Sequence, residues 1–338
     1  MVWKLFGALI VALALTTPGG AFADGAVVPI TPDSTVTFVG QGAGHGVGMS
    51  QWGARGRALA GQSAAQILAA YYTGTTLAVQ GDDTAAIRIL LPSGQVQSMP
   101  MQAYLASVVS SELPPGFPDA AVQAQAIASR TYGRWEMSAT RNYDVTSTVS
   151  TQAFGTAARP DAIAAVTATQ GMVLTNAGAI IPAYFFDCGI GTTEDNDNVW
   201  PGPPLPYLRG ISDRDANGVP YAQGCPRQHW VAGPLLGSDL SRLLAADPRT
   251  NVGKVSTLAF GNRSAGGRWI SVTLQGDTGS KTVSLSVFRT VMNAGAPVAN
   301  TIFGADFTVQ TGDQAPSRSL LENGLLPTFG LRLFSFVL

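Results

Sequence analysis

The sequence predicts an α+β fold: a mixed, single elaborated domain in which a central helical pair surrounds one glutamate and a β-rich C-terminal part follows. Three observations predict it. Met99 to Trp135 carries apolar residues at helical spacing on both sides of a proline-rich turn. Between Val255 and Val309 the period shifts towards two, as in Trp269-Ile270-Ser271-Val272-Thr273-Leu274 and Val283-Ser284-Leu285-Ser286-Val287. No internal repeat or charge run breaks the chain into separate units.

Met1 to Ala23 has Lys4, an apolar run from Leu5 to Leu15 and Ala21-Phe22-Ala23, the pattern of a secretory signal peptide with a small-x-small cleavage site. The run is too short to span a bilayer, and no later stretch is long enough either, so the mature protein is expected to lack an integral membrane segment and to act outside the cytoplasm. The mature domain is expected over 24–312. Thr35 to Val39 reads as a strand, followed by a glycine segment, 40–75, in which Gly42, Gly44, Gly46 and Gly48 alternate around His45. Glycine there permits close backbone approach. The spacing is not that of a phosphate loop, and no Lys-Ser/Thr pair follows. The chain turns helical beyond Gln51, stops near Gly61 and restarts at Ser63, with Gln66 completing a capping box.

A core region is expected over 85–235. Ala85 to Leu91 and Gly94 to Met99 form a predicted strand pair around Pro92-Ser93-Gly94. The first central helix carries Tyr104, Leu105, Val108 and Val109, and Pro114, Pro115 and Pro118 prevent its continuation. Asp119 opens the second helix, on which Gln123 and Arg130, seven apart, share a face. Val145 to Phe154 is Ser/Thr-rich and expected to be extended. Asp161 to Thr169 reads as a helix, and Gly171 to Ala177 and Ala179 to Phe186 as strands. They deliver the polar loop Asp187-Cys188-Gly189-Ile190-Gly191-Thr192-Thr193-Glu194, which either grips sugar hydroxyls or ends a sheet. Trp200 to Trp230 is irregular and rich in Pro, Gly and aromatics, and Leu235 to Ala246 reads as a helix within the β-rich part, 236–312. The tail, 313–338, is apolar without periodicity, and its role is not legible.

Chemistry concentrates on Glu112. It follows Val108 by four and lies on the apolar stripe in the last turn of its helix. A carboxyl group against apolar surface has a raised pKa and can act as a general acid at neutral pH. The alternative is a carboxylate paired with Arg130 or solvated at a helix end. Only four glutamates occur, Glu112, Glu136, Glu194 and Glu322. His45 reads either as a substrate contact or as a neutral histidine satisfied among glycines. Neither His45 nor His229 lies in a serine-nucleophile motif. The two cysteines, Cys188 and Cys225, are expected to form a disulfide in an exported chain, and a Cys/Cys/His/His zinc site is the alternative. A formal net charge of −1 gives no electrostatic case for nucleic acid.

The stretches GAGHGVGMSQWGARGRALAGQSAAQILAAYYTGT and AYLASVVSSELPPGFPDAAVQAQAIASRTY, with the later ATQGMVL…AYFFDCGIGTTEDN…VW…PYLRG, resemble the stage II sporulation protein D family, which includes the amidase enhancers of the LytB kind. The resemblance runs from about Val36 to Val309. It implies a peptidoglycan-directed protein, a lytic transglycosylase cutting glycan strands stripped of stem peptides, with the glutamate of the E-x-P segment, Glu112, as catalytic acid. The resemblance further implies that Arg130, Gln123, Gln125 and Tyr132 shape the cleft, that His45, Ser50 and Gln51 line or brace it, and that Thr192 and Thr193 meet the sugar. Partners implied are glycan strands and, for an enhancer that does not itself cut, a cell-wall amidase. Three departures stand out, one being the loop Cys188-Gly189-Ile190-Gly191-Thr192-Thr193-Glu194 in place of the Ser-x-x-Gly-Gly-x-Thr-Glu of relatives, which implies altered sugar contacts there. The GHGVGMSQ segment precedes the core here, as in a circular permutation. The zinc cluster that some members carry has no counterpart between Tyr143 and Gly155, so no cofactor is implied.

Overall fold

The computed structural model describes residues 26–81, 83–147, 152–155 and 157–312. The expected leader, 1–23, and the tail, 313–338, lie outside the described residues. Strands β1 (Val27–Pro29) and β2 (Thr35–Gln41) come first, and β2 runs into the glycine segment. β3 (Met49–Ser50) leads into α1 (Gln51–Leu59), and α2 (Ala64–Tyr71) begins with the expected box, the Ser63 side chain and the Gln66 side chain each satisfying the other's backbone N–H. β4 (Thr76–Val79) precedes the hairpin β5 (Ala86–Leu90) and β6 (Val96–Pro100). The central pair is α3 (Met101–Glu112) and α4 (Asp119–Glu136). Then come β7 (Val145–Thr146), α5 (Pro160–Ala168), β8 (Met172–Asn176), β9 (Ala179–Ile180), β10 (Phe185–Phe186) and α6 (Asn196–Val199). The chain continues through β11 (His229–Leu236), α7 (Gly237–Ala245), β12 (Val255–Phe260), β13 (Ser271–Gly276), β14 (Gly279–Ser284), α8 (Leu285–Gly295) and β15 (Asp306–Gly312). This is the α+β class expected.

Local expectations fail in three places. The alternation at 283–287 is a strand for only its first two residues: β14 ends at Ser284, whose hydroxyl accepts from the Val287 N–H and caps α8. The expected strand from Ala179 to Phe186 is two short pieces, because Pro182 has no N–H to give to a ladder. Within 145–154 only Val145–Thr146 is a strand, and 148–151 lie outside the described residues.

Two apolar cores result. In one, the sheet β11-β2-β15 and the sheet β1-β12-β13-β14 enclose Phe38, Trp230, Leu258, Val272, Phe288 and Phe307 together with α7 and α8. The other is built on α4, which packs against α1, α2, α3, α5 and β8. Helix α3 is buried nearly all round, which makes it an interior helix rather than an amphipathic one. Val108 and Val109 are fully covered, and each such burial contributes about 1.5–3 kcal/mol. The proline turn leaves the last carbonyls of α3 without helical partners. Arg159 satisfies two of them, donating through Nη1 to the carbonyls of Ser110 at 2.6 Å and Leu113 at 2.9 Å.

The glycine segment connects the cores. β2 sits in the centre of its sheet, and after residues 42–48 the chain forms β3, which pairs in parallel with β10 beside α1. Gly48 shows why glycine is required: its φ is +76°, and a Cβ there would lie 2.0 Å from the Tyr184 carbonyl oxygen.

Candidate active site

Glu112 ends α3 and is 8% exposed. Its carboxyl group accepts two hydrogen bonds, from the Gln51 side-chain amide at 3.1 Å and from the Ala153 N–H at 2.7 Å. Gln51 is the first residue of α1, and the Ser50 hydroxyl fixes it by capping that helix at Gly53 N and accepting also from Gly189 N, both at 3.0 Å. The glycine segment, a helix end and the 152–155 stretch thus converge on one carboxyl group. Its pKa is raised from 4.5 to about 7, chiefly by burial and further by the nearby Asp187 charge, against the two hydrogen bonds that favour the ionised form. The negative end of the α3 dipole acts in the same direction as burial.

Asp187 is tied down by Arg227 at 2.9 Å, and burial raises its pKa. Tyr104 stacks on Phe154 with ring centroids 5.5 Å apart, and its hydroxyl feels the Glu112 charge. From Tyr132 a row of rings runs outward: Tyr132 to Tyr184 at 5.7 Å, Trp135 to Tyr184 at 6.3 Å, Tyr184 to Trp200 at 4.9 Å and Trp200 to His45 at 4.8 Å. On another side Arg55 lies over Trp52 and Phe117.

The remaining expected site residues divide by burial. Arg130 is wholly covered and does not pair with Glu112. It bonds Asp83 at 2.9 Å and reaches Thr169 and the carbonyls of Val166 and Met172, tying α4 to α5 and β8. Gln125 is also covered and donates to Ser129 at 3.1 Å, whereas Gln123, two residues away, is half-buried. Sharing a face with Gln123 therefore does not bring Arg130 to the surface, because α4 has packed neighbours on most sides. The Tyr132 hydroxyl donates to Glu136 at 3.0 Å. Nδ1 of His45 accepts from the Val47 N–H at 3.0 Å, and burial with the Arg289 and Arg268 charges lowers its pKa to about 3, so it is a neutral imidazole. The Thr192 hydroxyl donates to the Gly266 carbonyl, and that of Thr193 accepts from the Ile211 N–H, so both shape the loop from within. Cys188 and Cys225 are bridged, and the bridge packs on Ala43 of the glycine segment.

Sequence reasoning missed three contributors. Tyr104 could have been found, since it lies eight residues before Glu112 on the same helical face. Asp187 was visible only as the start of a loop. The Ala153 N–H is a backbone group in a stretch without pattern.

No helix among the described residues is long and apolar enough to cross a membrane. Residues 93–176, which include both central helices, match the family model described as stage II sporulation protein. An amidase enhancer of Bacillus subtilis (strain 168) is 59% identical over 44 residues, 13% of this chain and 6% of that protein. Stage II sporulation protein D of the same organism is 29% identical over 135 residues, 34% of this chain and 39% of the relative. An uncharacterised protein of Brachyspira hyodysenteriae is 25% identical over 219 residues, 60% of this chain and 55% of its own length. The chain thus spans about half or less of the length of these relatives. On the matched central helices and these likenesses, the chain is similar, over residues 93–176 above all, to the stage II sporulation protein D and amidase enhancer proteins.

Proposed function

We propose that the protein is a secreted, peptidoglycan-directed lytic transglycosylase that cleaves MurNAc-GlcNAc bonds in peptide-stripped glycan strands. The observation that carries this reading is the buried Glu112 carboxyl group, whose pKa of about 7 lets it hold a proton at neutral pH and release it on demand. Protonated Glu112 donates to the glycosidic oxygen as the C1–O bond breaks. The resulting carboxylate then takes the proton from the C6 hydroxyl of the muramic acid, whose oxygen attacks C1 and closes a 1,6-anhydro ring. Glu112 ends as it began, and no water is consumed. One acid suffices, which suits a site where the neighbouring Asp187 is engaged by Arg227.

In this scheme Gln51 orients Glu112, and Ser50, Arg130, Gln125 and Thr193 brace the framework from beneath. Gln123, Tyr132 and His45 border the strand path, and Thr192 holds the shape of the adjoining loop. Trp135, 42% exposed, with Tyr184 and Trp200, offers ring faces to the apolar sides of sugars. The protein would act in the cell envelope after loss of residues 1–23, with 24–312 as the working domain, and the Cys188–Cys225 bridge is consistent with an oxidising location. The second reading, a non-catalytic wall-binding enhancer of an amidase, is favoured by the name of the relative that is 59% identical over its short match.

Incubation of purified protein with peptide-free glycan strands, followed by mass spectrometry, separates the two. The enzyme gives anhydromuramic ends that vanish in Glu112→Gln. Strand binding without such ends refutes catalysis and leaves the enhancer.

A further inference from the structure

Between the glycine segment and the β-rich core lies a cavity of about 20 Å³, bordered by His45, Glu194, Arg268, Ser286 and Arg289. It has room for one water-sized species. Its two guanidinium groups are buried, Arg268 to 5% and Arg289 to 6% exposure. Burial lowers the pKa of both, Arg289 to about 10 with the Arg268 charge contributing; a guanidinium keeps its proton in proteins.

Neither has a carboxylate within ion-pair distance among the described residues. Arg289 donates to the carbonyls of Ile302, Gly44 and Phe303, which are neutral acceptors. Arg268 donates through Nη2 to the Thr192 carbonyl at 3.1 Å, and its buried Nη1 finds no acceptor among the described residues. A guanidinium brings five N–H donors, so Arg268 is far from satisfied. The nearest carboxylates are committed elsewhere. Glu194 accepts from the Asp195 N–H, from Asn198 and from the Ser264 hydroxyl, and Asp306 pairs with Arg263 at 2.7 Å. His45 adds no compensating charge. Glu194 and Asp306 act on Arg268 from beyond ion-pair distance, and counting Arg263, Arg268 and Arg289 against these two, one positive charge stays uncompensated among the described residues, in a region where an unpaired ion is strongly disfavoured.

We propose that this cavity binds a water-sized monovalent anion of the halide class, with Arg268 and Arg289 as its charge partners. Arg289 also holds Gly44, and Arg268 also holds the Thr192 loop, so the anion fastens the glycine segment, that loop and α8 to one another. The proposal does not depend on the transglycosylase reading.

The test uses the full chain. Crystals grown with bromide as the only halide should show an anomalous peak between the two guanidinium groups. Thermal melts in sodium chloride and sodium gluconate at equal ionic strength should differ, with Tm in chloride higher by roughly 5 °C at a hundredfold excess over Kd. Arg268→Gln should lose both the peak and the chloride dependence. If that variant does not fold, the wild-type bromide map decides. Absence of the peak overturns the proposal whatever the melts show, and a peak that persists in folded Arg268→Gln removes Arg268 from the site and overturns it as well.

Discussion

Replacing Glu112 with Gln should abolish strand cleavage and at the same time make the protein more stable, by an amount that depends on pH. The folded carboxyl group has its pKa at about 7 against 4.5 in the ordinary state, so folding opposes its ionisation. Below pH 4.5 both states hold the proton and nothing is lost. Between 4.5 and 7 only the folded state keeps it, and stability declines as pH rises. Above 7 the full penalty is present. At 1.36 kcal/mol per pH unit, the shift amounts to about 3 kcal/mol. Glutamine keeps the shape and can still accept from the Ala153 N–H, while the Gln51 amide can turn its oxygen to the new NH2 group. Urea unfolding of wild type and variant at pH 4.5, 6 and 8 should therefore show a stability gap that widens by about 3 kcal/mol in the variant's favour. A gap that does not change with pH would mean that Glu112 titrates alike in the folded and unfolded chain, and the general-acid argument would fail.

Asp187→Asn removes a charge that raises the Glu112 pKa, so the alkaline limb of the pH–rate profile should move to lower pH; movement to higher pH would contradict the assigned geometry. Gln51→Leu removes a hydrogen bond that favours the carboxylate, and the same limb should move to higher pH with loss of rate. Arg130→Gln leaves Asp83 buried without its closest partner and should cost about 3–5 kcal/mol in denaturant unfolding; a stable variant with only weakened strand binding would instead place Arg130 at the substrate. Gly48→Ala combines positive φ with contact at 2.0 Å against the Tyr184 carbonyl and should abolish soluble folded protein, read by circular dichroism and yield.

How much was legible follows from which signals were local. Capping at Ser63, the proline stop after Glu112 and the two central helices are determined by residues near in sequence, and the structure has them where the pattern put them. The raised pKa of Glu112 was also legible, because its stripe position already implied burial. What the pattern could not convey was the packing of α4 on several sides, which takes Arg130 out of any cleft and into a pair with Asp83. Val283 to Val287 misled because two alternations of a strand and one turn of a capped helix look alike over five residues. The Ala153 N–H was invisible because a backbone donor has no residue type to betray it.

β2 receives both of its neighbours from far along the chain: Thr35 pairs with Leu236 on one flank and Gly312 on the other. Until the residues around 306–312 emerge, the central strand of that layer has an open edge. Such late closure leaves the core around β2 incomplete until those residues are available, whereas the core built on α4 uses none of them. The layer that carries the glycine segment is thus held together by three strands far apart in sequence.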